Sequence, residues 1–146
     1  MRGKTLSYFL VMLQFASLAA FALTGPWLAS VPWLLAVEFG GLLLGVWALL
    51  SVGRGNLHIL PDVRAGATFV RRGPYRFIRH PMYAALLLVG AALTLDQPSP
   101  MRLAALALLL AVILVKLHYE ERLLDAAFPE YARYKQETSR LIPFVY

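Results

Sequence analysis

The amino-acid sequence predicts an all-α, polytopic membrane protein of about four transmembrane helices, with a C-terminal amphipathic helix lying over a cytoplasmic pocket. Three observations carry this. Of the 146 residues, 60% are hydrophobic and only 15% charged, and the mean hydropathy is +0.64, too apolar for a soluble domain of this size. The apolar residues gather in four runs, at about 6–23, 31–52, 81–95 and 103–119. Finally, of the 14 Lys and Arg residues all but Arg102 fall at the N-terminus, in the 53–80 loop, or from Lys116 onward. An even number of spans with both termini cytoplasmic satisfies that pattern, since cytoplasmic loops hold the excess of cations. The chain reads as one membrane domain over 1–146. Its net charge of +6 points to anionic headgroups rather than nucleic acid, because the basic residues separate apolar runs instead of covering a polar face. The absence of cysteine excludes disulfides, thiolate nucleophiles and Cys-ligated metals.

The first run, Leu6 to Leu23, carries no charge and follows Arg2 and Lys4. A signal peptide ending near Ala20-Phe21-Ala22 is the alternative, but the run exceeds the usual apolar stretch of about 7–15 residues, which favours a span. Thr24-Gly25-Pro26-Trp27 is a turn, with Trp27 and Trp33 at the depth where interfacial aromatics lie. Val31 to Val52 forms the second span. Within it Gly40, Gly41 and Gly45 suit close helix packing, and Glu38 must be partnered, protonated or near an interface. Pro81 to Leu95 is a short third span of about 22 Å at 1.5 Å per residue. Asp96-Gln97-Pro98-Ser99-Pro100 turns into the fourth span, Leu103 to Tyr119. In the tail, 120–146, Leu123, Leu124, Ala127, Phe128, Tyr131 and Tyr134 recur at helical spacing, and Pro129 marks a break.

The polar heart is the loop 53–80. It holds Arg54, Arg64, Arg71, Arg72, Arg76 and Arg79 against a single acid, Asp62. Ala67-Thr68-Phe69-Val70 is its one extended candidate, Gly73-Pro74 reads as a turn, and His58 carries no usable signal. Pro81 fits the first turn of a helix, so Arg79 and His80 sit at a helix mouth whose N–H groups and dipole suit an anionic group. A basic loop touching only lipid headgroups fits the same residues. Where the fourth helix leaves the membrane, Lys116 with Glu120 and His118 with Glu121 set cations beside carboxylates, as a salt-bridged helix end or as a second wall of a pocket. Tyr131 and Tyr134 read as packing residues. Three isolated histidines make no metal set, and no glycine-rich phosphate loop or nucleophile elbow is present.

In order, Gly73-Pro74-Tyr75, Arg79-His80-Pro81-Met82-Tyr83, Glu120-Glu121-Arg122-Leu123-Leu124, Phe128, Tyr131, Tyr134 and Ile142-Pro143-Phe144 resemble the isoprenylcysteine carboxyl methyltransferase and phospholipid methyltransferase superfamily. The likeness covers about 56–144, and the combination GPYxxxRHPxY, EExxL, YxxY and IPF is specific where any one piece is weak. The resemblance implies an integral membrane enzyme that takes S-adenosylmethionine from the cytosol and methylates a hydrophobic or lipid-borne acceptor, a prenylcysteine-type carboxylate or a phospholipid amine. Carried over by position, Ala67, Thr68, Phe69, Val70, Tyr75, His80, Pro81, Met82, Tyr83 and Glu120 match cofactor-contacting positions. Arg79 and Lys116 are expected to orient the substrate. Lys116 stands where the prenylcysteine enzymes have an arginine and cannot make the bidentate carboxylate contact. Ala85 and Pro129 also depart from the pattern, which has glycine at both places.

Two other readings fit parts of the chain. Sterol reductases have a similar RHPxY element and a C-terminal ending resembling Leu141 to Tyr146; NADPH would then replace S-adenosylmethionine, with Arg71-Arg72 on its phosphate. A non-catalytic lipid-binding subunit would use the loop arginines to hold headgroups. The oligomeric state is open.

Overall fold

The computed structural model describes residues 2–53, 69–143 and 145, with the side chains of residues 2–4 excepted. The described residues form α1 (Arg2–Leu23), α2 (Pro32–Val52), α3 (Pro81–Asp96), α4 (Pro100–Ala127) and the short α5 (Tyr131–Glu137), with a 3-10 turn at Gly73–Arg76. Among them there is no strand, only one isolated parallel bridge between Ile78 and Ser139. The all-α membrane architecture holds: α1, α2 and α4 are long and apolar enough to cross a bilayer. At 16 residues, α3 reaches about 24 Å, short of a hydrocarbon core of about 30 Å.

α1 lies along α4, α4 along α3 and α3 along α2, whereas α1 and α2, neighbours in sequence, do not form a packed pair. The four helices therefore make an arc rather than a closed bundle. Its inner seam is apolar: Phe21, Ala84, Leu93, Ala105, Leu109, Ile113 and Leu117 are buried together. The α2–α3 contact depends on small residues, because a Cβ on Gly41 would stand 3.1 Å from the Ala85 carbonyl oxygen and one on Gly45 would stand 3.4 Å from the Ala85 Cβ. Two of the three glycines of the second span are thus used within the chain, and Ala85 is the small partner they face.

Polar residues close the end of the arc away from the site. The Asp96 Oδ1 accepts from the Ser30 N–H at 2.8 Å, the Ser30 hydroxyl at 2.9 Å and the Val31 N–H at 2.9 Å, satisfying orphan donors at the start of α2. Glu38 is buried and its Oε2 accepts from the Ala29 N–H at 2.9 Å, so it is the partnered carboxyl that an intramembrane acid must be. Arg102, also buried, donates to the Leu93 carbonyl at 2.7 Å and the Pro26 carbonyl at 2.9 Å.

At the site end, α4 departs from the expected boundary. It does not stop at Tyr119 but runs on through Glu120, Glu121 and Asp125 to Ala127, about 42 Å in all. Its charged turns persist because they are paired, and the helix ends where Pro129 excludes the helical conformation at Phe128. Gly73 seats the 3-10 turn against α2. Its φ is +61°, and a Cβ there would fall 2.0 Å from the Ser51 Oγ.

Candidate functional site

His80 caps α3. Its carbonyl accepts from the Tyr83 N–H at 3.1 Å and the Ala84 N–H at 3.0 Å, while Pro81 occupies the first turn. The segment before it is clamped by the chain's tail: the Arg79 N–H donates to the Ser139 carbonyl at 2.8 Å and the His80 N–H to the Arg140 carbonyl at 3.0 Å. The tail therefore holds the helix mouth in place and takes up two of its backbone donors.

Glu121 anchors the same mouth from α4. Its Oε1 accepts from Arg79 Nε at 2.7 Å and lies 3.4 Å from His80 Nε2, and its Oε2 is 3.2 Å from Arg140 Nε. Arg79 also donates through Nη1 to the Lys135 carbonyl at 3.2 Å and to the Thr138 carbonyl. Its Nε and Nη1 thus brace the helix mouth against α4 and the tail, while the residue also borders the cavity.

Glu120, one residue earlier, faces the other way. The Tyr83 hydroxyl donates to its Oε2 at 3.0 Å, and His80 Nδ1 lies 3.8 Å from the same oxygen. The Tyr83 ring stacks on the His80 ring, 5.5 Å between centroids and 15° between planes. Lys116 Nζ lies 5.3 Å from the Tyr83 ring centroid on a line over its face, and it donates to Gln14 Oε1 from α1 at 2.6 Å.

These groups end a cavity of about 890 Å³. The polar end is made by Tyr75, His80, Tyr83, Lys116 and Glu120. From there it runs between α1 and α2 along some 20 Å of α3, past Phe15, Leu18, Leu42 and Val46 to Phe21, Trp27 and Leu93. The volume is near the top of the range of about 300–1,000 Å³ for single-ligand pockets, and its two ends differ in chemistry. The Tyr75 hydroxyl is pushed above the ordinary phenol range by burial and by the Glu120 charge. Burial pushes Tyr134 up to about 12. Both stay neutral near pH 7, so they serve as aromatic surfaces and hydrogen-bonding groups rather than bases.

The structure does not bring all the expected cofactor positions together. Tyr75, His80, Met82, Tyr83 and Glu120 line the cavity, as do Arg79 and Lys116. Pro81 is buried as the first turn of α3. Phe69 instead packs on Phe128, Tyr131 and Tyr134, with ring centroids 5.5, 5.8 and 5.0 Å away, and Val70 is not among the lining residues. Ala67, Thr68 and His58 lie outside the described residues. No group of three or more His, Asp and Glu able to hold a metal occurs among the described residues. Sequence reasoning missed Gln14, whose signal was available: it is the one carboxamide inside an uncharged apolar run.

A family model described as phospholipid methyltransferase matches residues 38–131, well over half of the chain, and spans every cavity-lining residue of α2, α3 and α4. The chain belongs to this family, a family of membrane methyltransferases, and is itself an integral membrane protein. The cobalt-zinc-cadmium resistance protein CzcN of Cupriavidus metallidurans is 36% identical over 102 residues, which cover 69% of this chain and 47% of that protein. The chain thus spans about half the length of this curated relative.

Proposed function

We propose that this chain is an S-adenosylmethionine-dependent methyltransferase acting on a membrane-embedded hydrophobic or lipid-like acceptor, with both termini and the polar end of the cavity in the cytosol. The observation that carries the reading is the single cavity that joins a charged, aromatic end to an apolar groove open between α1 and α2. One reactant that is polar and one that is a hydrocarbon have adjoining places there.

The residues at the polar end fit the cofactor. Glu120 offers a carboxylate to an amino group or ribose hydroxyls. Tyr75 and Tyr83 offer ring faces to adenine or to a sulfonium, which the quadrupole of an aromatic ring attracts. When bound, S-adenosylmethionine supplies an electrophilic methyl group. The chain's part is to hold donor and acceptor in line and to exclude water, which in well-oriented pairs supplies about 7–11 kcal/mol. The groove walls of α1 and α2 exclude water from the acceptor side, and Lys116 stands where the acceptor's polar head meets its apolar tail.

The reductase reading is disfavoured by Arg71 and Arg72. Arg71 is ion-paired with Glu137 and Arg72 donates to the Ser51 carbonyl at 2.7 Å, so neither stands ready for a ribose phosphate. A lipid-binding subunit that held headgroups through Arg71 and Arg72 would have to break the same contacts. The test is transfer of a tritiated methyl group from S-adenosylmethionine to an organic-extractable product by the protein in proteoliposomes made from total membrane lipid. Transfer that Glu120→Ala abolishes supports the reading; equal label with and without protein overturns it.

A further inference from the structure

Lys116 is 2% exposed, and a lysine in a membrane span ordinarily finds a counter-charge. Among the described residues it makes no ion pair: its Nζ donates to the neutral Gln14 Oε1 at 2.6 Å and lies over the Tyr83 ring. Glu120, one turn along α4, adds a negative charge nearby but is engaged by the Tyr83 hydroxyl. An ammonium has three donors, so the pair leaves Lys116 hydrogens unspent, and Gln14 keeps both amide hydrogens once its oxygen faces the lysine. Gln14 and Lys116 both line the cavity, at the point where its charged end passes into the apolar groove. A carboxamide is costly in a span unless it has such a partner. α1 lies outside the residues the family model matches, so nothing assigns Gln14 a role.

We propose that Gln14 is a specificity-determining residue: with Lys116 it forms a two-residue clamp for an anionic group on the acceptor, selecting an anionic amphiphile over an amine one. In the empty groove Gln14 holds the lysine by its oxygen. An anionic headgroup lying between them accepts from the ammonium and from the Gln14 amide, using hydrogens that the Gln14 oxygen leaves unspent, and the alkyl tail lies between α1 and α2. This rests on the proposed function for the acceptor's presence, but the clamp itself is a binding property that can be read without turnover.

The test is calorimetric binding of dodecanoate, dodecylamine and dodecanol to the full chain in neutral-detergent micelles, for wild type, Gln14→Leu and Gln14→Glu, with S-adenosylhomocysteine titrated separately. Wild type is expected to prefer dodecanoate. Gln14→Leu should weaken it about tenfold, the loss of one charge-assisted hydrogen bond, and leave dodecanol unchanged. Gln14→Glu, which places a carboxylate on Lys116, should weaken dodecanoate at least as much and favour dodecylamine. Unchanged preferences in both variants, or a wild type that does not distinguish the three, overturn the clamp. S-adenosylhomocysteine binding retained in both variants confirms the fold. If wild type fails to bind it yet discriminates the amphiphiles, the clamp stands and the methyltransferase reading falls.

Discussion

The Tyr83 hydroxyl donates to Glu120 Oε2 at 3.0 Å across the α3–α4 contact, with the His80 ring stacked on the same tyrosine. One hydrogen bond thus couples the HPxY element to the first acid of the EExxL element, and it fixes the carboxylate that faces the cavity. Tyr83→Phe keeps the ring and removes the bond. It should weaken S-adenosylhomocysteine binding about tenfold, as loss of a hydrogen bond to a charged group does, with little change in thermal stability; calorimetry and a thermal melt check both.

Glu121 has the opposite profile. Its carboxylate is 7% exposed and neutralises Arg79 and Arg140 around the helix mouth. Glu121→Ala leaves the buried Arg79 cation without its counter-charge and should cost about 3–5 kcal/mol of stability. A lowered denaturation midpoint in detergent checks it. Glu120→Ala, at a more exposed carboxylate, should unfold close to wild type while losing the cofactor.

Gly73 separates backbone from side-chain effects. Gly73→Ala meets both a left-handed φ and the Ser51 Oγ, and should destabilise by about 1–3 kcal/mol. Gly40→Ala, where a Cβ meets nothing within 4 Å, should be neutral or slightly stabilising in the middle of α2. Parallel melts of the two variants decide it.

Filling the groove should divide its two ends. Val46, 57% exposed, lines the groove on α2. Val46→Trp should lower methyl transfer at least tenfold, about 1.4 kcal/mol, by excluding the acceptor's tail, and leave S-adenosylhomocysteine binding intact.

Burial holds Tyr134 neutral up to about 12. An unfolded phenol ionises near 10, so the folded state binds the proton more tightly. That contribution is fully present below pH 10 and is lost as pH rises from about 10 to 12. Alkaline melts should fall over that window, and Tyr134→Phe should flatten the fall.

What was legible in the sequence was local. Pro81 and its neighbours placed His80 at a helix mouth, and helical spacing placed Glu120 one turn from Lys116, because both depend on contacts within a few residues. What was not legible depended on which helices meet. Nothing near Arg79 in the sequence signalled the Glu121 carboxylate and the Thr138 carbonyl that it meets. The packing of Phe69 against the rings of Phe128, Tyr131 and Tyr134 likewise had no local signal. Gln14 went unremarked in the sequence, because only the α1–α4 packing sets it against Lys116, a pairing 102 residues apart in the chain. The open side between α1 and α2 has no local signal, since a short connection ordinarily joins helices that pack together.

The most direct measurement is calorimetric titration of the detergent-purified protein with S-adenosylhomocysteine and, separately, NADPH, in wild type and Glu120→Ala. Saturable S-adenosylhomocysteine binding that disappears in Glu120→Ala is the expected result. Binding of NADPH alone, or of neither ligand, would contradict the methyltransferase account.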